Sequence, residues 1–195
     1  MAMPQFDRDR AAVLIMDYQN DVVLRFAEAD DSLLQRAAAV LSAARAAGVP
    51  VIYVVITFRP GYPEVPASGV FNMVRQSGML QEGTEGAAIH EAVAPQSGDL
   101  IVTKKRIGAG SGSDLECVLR AKGRTHLVLL GIATSGVVLS TARWAADLDY
   151  TMNIVSDCCF DRDREVHRVL IEKVLAGMAP PVTAREFIDS LRAWM

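Results

Sequence analysis

Apolar positions along the chain form short continuous runs that alternate with stretches of helical periodicity. The runs Ala11–Met16 and Val51–Ile56 are apolar at every position, which is typical of strands buried on both faces of a parallel sheet. Between them, apolar residues recur at helical spacing from about residue 31 to residue 47, and Gly48 ends the pattern. The pattern therefore predicts a strand, a helix and a second strand.

The same alternation continues through the rest of the sequence. Further strands are predicted at residues 99–103, 126–130, 150–155 and 181–183, and further helices at residues 113–121, 136–147, 164–175 and from residue 183. Two of these helices begin with a capping-box pattern, Ser113 to Glu116 and Thr183 to Glu186. Strands that alternate with helices predict a single three-layer α/β domain over residues 1–195, with a mostly parallel sheet.

Residues 58–98 interrupt the alternation, because they lack a strong period and contain much Gly and Pro. A long irregular connection inside an α/β domain is typical of a wall or lid over a site. Its apolar residues would either form an interface between copies or cover the protein's own core: Phe71, Met73, Val74, Met79 and Leu80.

Composition narrows the classes of partner. The net charge is −3, and no block of basic residues favours nucleic acid or an anionic membrane surface. No apolar run is long enough to cross a bilayer, and the N-terminal residues lack the apolar core of a signal peptide. Three cysteines, two of them adjacent, do not form a disulfide framework. We therefore expect a cytoplasmic protein that binds neither nucleic acid nor membrane.

Residues that follow the predicted strands are the candidates for a site, because ligands bind beyond the carboxyl ends of parallel strands. These residues are Asp17, Gln19 and Asp21; Thr57, Phe58 and Arg59; Lys104, Lys105 and Arg106; Ala133, Thr134 and Ser135; and Asp157. A carboxylate and a lysine at neighbouring strand ends can form a proton-transfer pair. A structural ion pair is the alternative for Asp17 and Lys104. Arg59 could bind a carboxylate-bearing ligand or belong to an ordinary turn.

Four segments of the chain resemble the isochorismatase-like, or cysteine hydrolase, superfamily. They are LIMDYQND at 14–21, VTKKR at 102–106 with GSDL at 112–115, GIAT at 131–134 with TA at 141–142, and Asp157 with DRDREVH at 161–167. The resemblance implies a Rossmann-like α/β/α fold with a parallel sheet of about six strands, and an Asp–Lys–Cys triad. Asp17 and Lys104 match its acid/base carboxylate and its lysine. Ile132 and Ala133 match a peptide bond that is characteristically cis, beside backbone N–H groups that would stabilise an oxyanion.

Val137 occupies the position at which the resemblance implies the catalytic cysteine, four residues after Ala133. Valine cannot form a thioester, so amide hydrolysis through an acyl-enzyme has no nucleophile at this position. Isochorismatases proper, which the chain resembles here, also lack the cysteine and cleave a vinyl ether through protonation by the aspartate and attack by water. The resemblance thus implies a hydrolase in which Asp17 is the general acid, Lys104 orients it and Val137 forms an apolar wall.

The expected ligand is a small polar or carboxylated substrate. Its further contacts are expected from Gln19, Phe58, Arg59, Ile132, Ala133 and Gly136. Neither a metal nor another cofactor is expected, because Thr57-Phe58-Arg59 replaces the Asp-x-His motif of metal-binding relatives and the three histidines show no ligand spacing. The resemblance also implies a homodimer or homotetramer.

Two alternatives stay open. The chain could be an amidohydrolase with another nucleophile, such as Cys159 or a water molecule activated by Asp17, although Cys117, Cys158 and Cys159 are all expected to be structural. It could also be a catalytically silent member that binds a small molecule. The segment Arg106-Ile107-Gly108-Ala109-Gly110, which follows Lys104, has glycine where relatives commonly have an aromatic residue, and this argues against an isochorismatase proper.

Overall fold

The continuous apolar runs become the central strands of a parallel sheet. The structure, a computed structural model, describes residues 7–26 and 31–192. Within these ranges the sheet has six strands: β1 (Ala11–Met16), β2 (Val51–Ile56), β3 (Leu100–Lys104), β4 (His126–Ile132), β5 (Thr151–Phe160) and β6 (Pro181–Val182). The bounds of β1 and β2 are those predicted, because strands buried along their whole length have unbroken apolar sequences.

The order of the strands is β3-β2-β1-β4-β5-β6, and every pairing is parallel. The chain therefore builds outward from β1 in one direction and from β4 in the other. Met16, the last residue of β1, lies opposite Val54 on one side and Gly131 on the other. This reversal is the point at which α/β sheets open a crevice for ligands.

Helices cover both faces of this sheet, which confirms the predicted three-layer α/β/α class. They are α1 (Asn20–Phe26), α2 (Asp31–Ala46), α3 (Asn72–Ser77), α4 (Leu115–Ala121), α5 (Leu139–Asp147), α6 (Arg164–Val169) and α7 (Ala184–Arg192). Buried residues of α2 and α7, such as Leu41 and Phe187, belong to one apolar cluster. Those of α4 and α5, such as Leu119 and Ala142, belong to the other. In the described parts of the chain, no helix is both long and apolar enough for a membrane span.

Two predicted helices begin or end differently in the structure. The helix predicted at residues 136–147 starts with a π-helical turn, Thr134–Val138, before α5. The helix predicted at residues 164–175 is α-helical only through Val169 and continues as a π-helical turn, Leu170–Val174. Apolar periodicity identifies the buried face of a helix but does not distinguish a wider turn from a regular one.

Only one of the two predicted capping boxes forms. Thr183 and Glu186 exchange hydrogen bonds in both directions, with Thr183 N donating to Oε2 and Glu186 N donating to Oγ1. Glu116 instead accepts from Arg120 Nε at 2.7 Å, one helical turn further on. The helix begins where predicted, and Ser113 Oγ accepts from Leu115 N at 3.3 Å. The reciprocal bond of the predicted box does not form, because the nearby guanidinium takes the carboxylate that the box requires.

Residues 58–98 pack largely against the core of this chain. Leu80 is buried, and Phe71, Val74 and Met79 pack partly against the same cluster as α2. Met73, by contrast, is 54% exposed. Most of the apolar residues in this segment therefore cover the protein's own core, which was one of the two alternatives for them.

Candidate active site

Asp17 and Lys104 meet at the carboxyl edge of the sheet. Asp17 directly follows β1, and its backbone N–H donates to Val54 O at 2.9 Å. Lys104 is the last residue of β3, and its side chain reaches past the end of β2 to donate from Nζ to Asp17 Oδ2 at 2.8 Å. Nζ also donates to Arg106 O at 3.1 Å. The two side chains are only 1% (Lys104) and 9% (Asp17) exposed, so the pair is buried.

The second carboxylate oxygen of Asp17 is free for another partner. Oδ1 is buried, and no donor among the described residues reaches it. Burial raises the pKa of Asp17 above its ordinary value, and this effect outweighs the attraction and hydrogen bond of Lys104, which lower the pKa. A carboxyl group that holds its proton more tightly than usual and has a free oxygen can act as a general acid.

Asp17 has a backbone conformation that few residues other than glycine adopt. Its φ is 60°, in the left-handed region, where aspartate is one of the more tolerated residues. Such conformations persist where the surrounding structure fixes them, and they are common at active sites. Here the turn directs the chain away from β1 at the reversal of strand order.

The turn after β4 brings Val137 close to the end of β1. The Ile132–Ala133 peptide bond is cis, as the resemblance implies. A Cβ on Gly131 would lie 2.8 Å from Val138 Cγ2, 3.1 Å from Val137 Cγ1 and 3.3 Å from Met16 Cε. Glycine is therefore required at 131, because the turn approaches the sheet too closely for a side chain. Val137 is 2% exposed and belongs to the apolar cluster that contains Met16.

Thr134 and Ser135, which begin this turn, are tied to the connection between β5 and α6. Thr134 Oγ1 lies 2.8 Å from His167 Nδ1, and Ser135 N donates to Asp161 Oδ2 at 2.8 Å. Thr134 and Asp161 are both buried. The resemblance covered residues 161–167, but sequence reasoning assigned His167 no partner, since a contact between residues 33 positions apart leaves no local signal.

Gln19 and Phe58, two of the expected substrate contacts, are engaged within the protein. Gln19 Nε2 donates to Ile56 O at 3.0 Å and to Ala87 O at 2.7 Å, and Oε1 accepts from Ile56 N at 2.8 Å. Phe58 is fully buried, with its ring centroid 5.9 Å from that of Tyr62. Both amide donors of Gln19 are thus used within the protein, and the ring of Phe58 is enclosed by it.

Arg59 and Lys105 belong to a group of charges beyond β2 and β3. Arg59 Nη1 contacts Glu64 Oε1 at 2.7 Å, and the Arg59 side chain is 65% exposed. Lys105 Nζ donates to Thr57 O and to Glu82 Oε1, each at 2.7 Å. The hydrogen bond from Lys105 lowers the pKa of Glu82. Glu82 lies in the 58–98 segment, so Lys105 attaches that segment to the sheet edge beside Lys104.

The three remaining expected contacts lie in or beside the turn after β4. Ile132 is 2% exposed and belongs to the core, whereas Ala133 and Gly136 are half-buried. Gly136 N donates to Ala133 O at 3.1 Å. Ile107 Cγ2 lies 3.9 Å from the point where a Cβ on Gly136 would stand. The loop after Lys104 thus reaches the same turn, and Ala133 and Gly136 are the less enclosed of the three.

The two adjacent cysteines of β5 are poor alternative nucleophiles. Cys158 and Cys159 are buried, and burial raises the pKa of both thiols, that of Cys159 to about 12. A thiol that stays protonated at neutral pH is a weak nucleophile. Cys117 was expected to pack in an apolar stripe but is exposed on α4, which corrects that expectation. In residues 7–26 and 31–192, no group of three or more His, Cys, Asp or Glu side chains could hold a metal.

Comparison with known proteins identifies a family and several relatives that the chain resembles. The isochorismatase domain family matches residues 11–186. The chain is 30% identical over 162 residues to maleamate amidohydrolase of Pseudomonas putida, covering 82% of this chain and 74% of that protein. It is 31% identical over 190 residues to phenazine biosynthesis protein PhzD of Pseudomonas fluorescens, covering 96% and 89%. The solved structure of an isochorismatase family protein from Burkholderia thailandensis superimposes with a TM-score of 0.83 at 28% identity, covering 98% of this chain and 100% of that one.

Proposed function

The chain belongs to the isochorismatase family, and on that premise we propose that it hydrolyses a small polar or carboxylated molecule through Asp17 and Lys104, without a covalent cysteine intermediate. The observation that carries the proposal is the buried pair at the strand reversal. Asp17 Oδ2 is held by Lys104 at 2.8 Å, while the buried Oδ1 has no partner among the described residues. One oxygen is oriented by the protein, and the other is free for substrate.

Cleavage of a vinyl ether needs only these groups and water. Protonated Asp17 donates its proton to the terminal vinyl carbon, and the C=C electron pair forms the new C–H bond. Water adds to the resulting oxocarbenium carbon, and the hemiketal collapses to a ketone and an alcohol. The proton that water loses returns to the Asp17 carboxylate. Lys104 stabilises that carboxylate while it is ionised and fixes the direction of Oδ1.

The apolar residue at position 137 supports a route without a covalent intermediate. Val137 has no nucleophilic atom, and it is packed beside Gly131 with 2% exposure. Cys159, the other candidate nucleophile, has its pKa raised by burial to about 12. An acyl-enzyme therefore has no suitable attachment point at either residue.

An amidohydrolase with a water nucleophile is the second candidate. It is favoured by the 30% identity to a protein named maleamate amidohydrolase. In that reaction Asp17 would act as a base and take a proton from water, whereas vinyl ether cleavage uses it as an acid. The two candidates therefore require opposite protonation states of the same carboxyl group.

The proposal is tested by screening purified protein against isochorismate, related vinyl ethers and small amides, with products identified by mass spectrometry. We expect turnover of at least one compound and a loss of roughly 1,000-fold in Asp17→Asn, which cannot donate the proton. Asp114→Asn is the matched control, because Asp114 is exposed and makes no capping hydrogen bond through its side chain.

The outcomes separate the candidates. Full activity in Asp17→Asn would contradict the proposal. Loss of activity after thiol alkylation of the native protein would favour a cysteine nucleophile. If the wild-type protein turned over none of the compounds, the result would support the alternative of a catalytically silent protein that binds a small molecule.

A further inference from the structure

We propose that His167 is a positioning residue, which holds the turn after β4 in its active geometry through a hydrogen bond to Thr134. The inference rests on the proposed function in one respect, namely that this turn shapes the site beside Asp17. Its structural part concerns only the contacts of His167, Thr134, Ser135 and Asp161, and it can be tested without a substrate.

Thr134 is the first residue of the π-helical turn and lies three residues before Val137. Its side chain is fully buried. A buried hydroxyl that loses its partner destabilises the conformation that buries it, so buried hydroxyls are nearly always hydrogen-bonded. The partner here is His167 Nδ1 at 2.8 Å.

Asp161 provides a second tether at the neighbouring residue. Its Oδ2 accepts from the backbone N–H of Ser135 at 2.8 Å, and Asp161 is 7% exposed. A hydrogen bond from a backbone N–H to a carboxylate is among the stronger ones in proteins. Two consecutive residues of the turn are therefore held by two side chains that lie six positions apart in the chain.

The orientation of His167 is itself fixed by local structure. Asp163 caps α6, with Oδ1 accepting from Glu165 N at 2.8 Å and from Val166 N at 3.2 Å. Asp163 O also accepts from His167 N at 3.0 Å, so the cap fixes the helical turn that carries His167. Burial lowers the pKa of His167, which favours the neutral ring, in which one nitrogen can accept while the other donates.

His167 also faces a cavity of about 280 Å³ that is separate from the residues of the catalytic pair. Its lining includes Arg36, Cys159, Asp161, Arg164 and His167, but neither Asp17 nor Lys104. The ring therefore lies between the turn and an open space that can accept a small molecule. Removing the imidazole enlarges that space and leaves room for free imidazole to enter.

Loss of the hydrogen bond between His167 and Thr134 should lower the rate of turnover more than the affinity for substrate. Ala133 and Gly136 are the half-buried parts of the turn, and Val137 packs beside the end of β1. A turn released from His167 would shift these residues relative to Asp17. Displacements of this kind lower rates by roughly 10- to 100-fold without abolishing binding.

The test uses three variants that lose the contact: His167→Ala, Thr134→Val and the double variant His167→Ala/Thr134→Val. Thr134→Ser, which keeps the hydroxyl, is compared with them. Arg168→Ala is the control, because it removes an exposed contact with Glu172 on the same helix. Hydrogen exchange, followed by mass spectrometry, measures the amides of residues 134–138. We expect each single variant to speed exchange there by roughly 3- to 30-fold, the double variant to add little, and Thr134→Ser and Arg168→Ala to match the wild type.

Free imidazole gives a rescue that a general loss of stability would not show. Millimolar imidazole should restore slow exchange at residues 134–138 in His167→Ala but not in Thr134→Val, which lacks the hydroxyl. If the wild-type protein turns over a substrate, kcat of His167→Ala and of Thr134→Val should fall about 10- to 100-fold, with KM changed less than about 3-fold. Unchanged exchange in both single variants, or additive effects in the double variant, would overturn the inference. Absence of any substrate would count against the proposed function alone, since the exchange experiment still decides the role of His167.

Discussion

Two ion pairs lie at opposite ends of β3, the part-buried Arg45–Asp99 pair and the buried Asp17–Lys104 pair, and they differ in how fully their carboxylates are hydrogen-bonded. Asp99, which precedes β3, accepts from Arg45 Nη2 at 2.7 Å and from Gln96 N at 2.8 Å through Oδ2, and from Arg45 Nε at 3.3 Å through Oδ1. Asp17 is joined to Lys104, the last residue of β3, through Oδ2 alone. The two carboxylate side chains are similarly enclosed, at 5% (Asp99) and 9% (Asp17) exposed. The clearest difference between them is therefore the Asp17 oxygen that has no partner among the described residues.

The position of each pair in the sheet agrees with this difference. The Arg45–Asp99 pair lies at the amino end of β3, where it also binds the hydroxyl of Tyr53 through Arg45 Nη2 at 2.9 Å. The Asp17–Lys104 pair lies at the carboxyl end, where parallel sheets bind their ligands. A complete network at one end stabilises the fold, and an incomplete one at the other end provides a group that can react with a ligand.

Matched substitutions of the two cations should affect different properties. Lys104→Met should lower kcat/KM by roughly 100-fold or more, because the carboxyl group loses its orienting partner. Its cost in stability should be small, since the buried Asp17 can remain protonated. Arg45→Met should leave kcat/KM within about 2-fold and lower the free energy of unfolding by about 2 kcal/mol, because the Asp99 carboxylate, whose side chain is 5% exposed, loses its bidentate cationic partner. Steady-state kinetics and urea denaturation measure the two effects, and equal effects from both variants would remove the distinction.

Sequence patterns predicted which residues lie at the ends of the strands but not which partners their side chains contact. The ends of β1 and β3 identified Asp17 and Lys104, because parallel strands bring their carboxyl ends to one edge. The same reasoning assigned Gln19 to a ligand, although its amide binds the backbone of Ile56 and Ala87. Whether a side chain faces a ligand or a neighbouring segment depends on how residues 58–98 fold over the sheet.

Contacts between residues far apart in the chain could not be predicted from the sequence, because they too depend on how distant segments pack. The Thr134–His167 bond joins the start of one helix to another element, and the Arg45–Asp99 pair joins α2 to β3. The two capping boxes show the limit at short range. The pattern at Thr183 formed, and the pattern at Ser113 did not, because Arg120 competes for Glu116.

The pH dependence of activity sharpens the contrast between the pairs. For a vinyl ether, Asp17 must be protonated, so kcat/KM should fall about 10-fold per pH unit above the pKa of Asp17, which burial places above that of free aspartate. Lys104→Met removes the cation that lowers this pKa, so the falling limb should move to higher pH. Asp99→Asn should leave its midpoint unchanged. For an amide substrate with Asp17 as base, kcat/KM should instead rise with pH through the same pKa.

The smallest expected effect comes from placing a thiol at the turn. Val137→Cys should lower the free energy of unfolding by about 1 kcal/mol, because it removes a buried methyl group. If the turn provides the backbone donors implied for this family, the variant should gain weak amidase activity that Val137→Ala lacks. That gain should vanish when Asp17→Asn is added, since the thiol needs a base, and should survive Asp99→Asn. Amidase activity that persists with Asp17→Asn would show that the carboxyl with the free oxygen is no more important to the chemistry than the fully paired one.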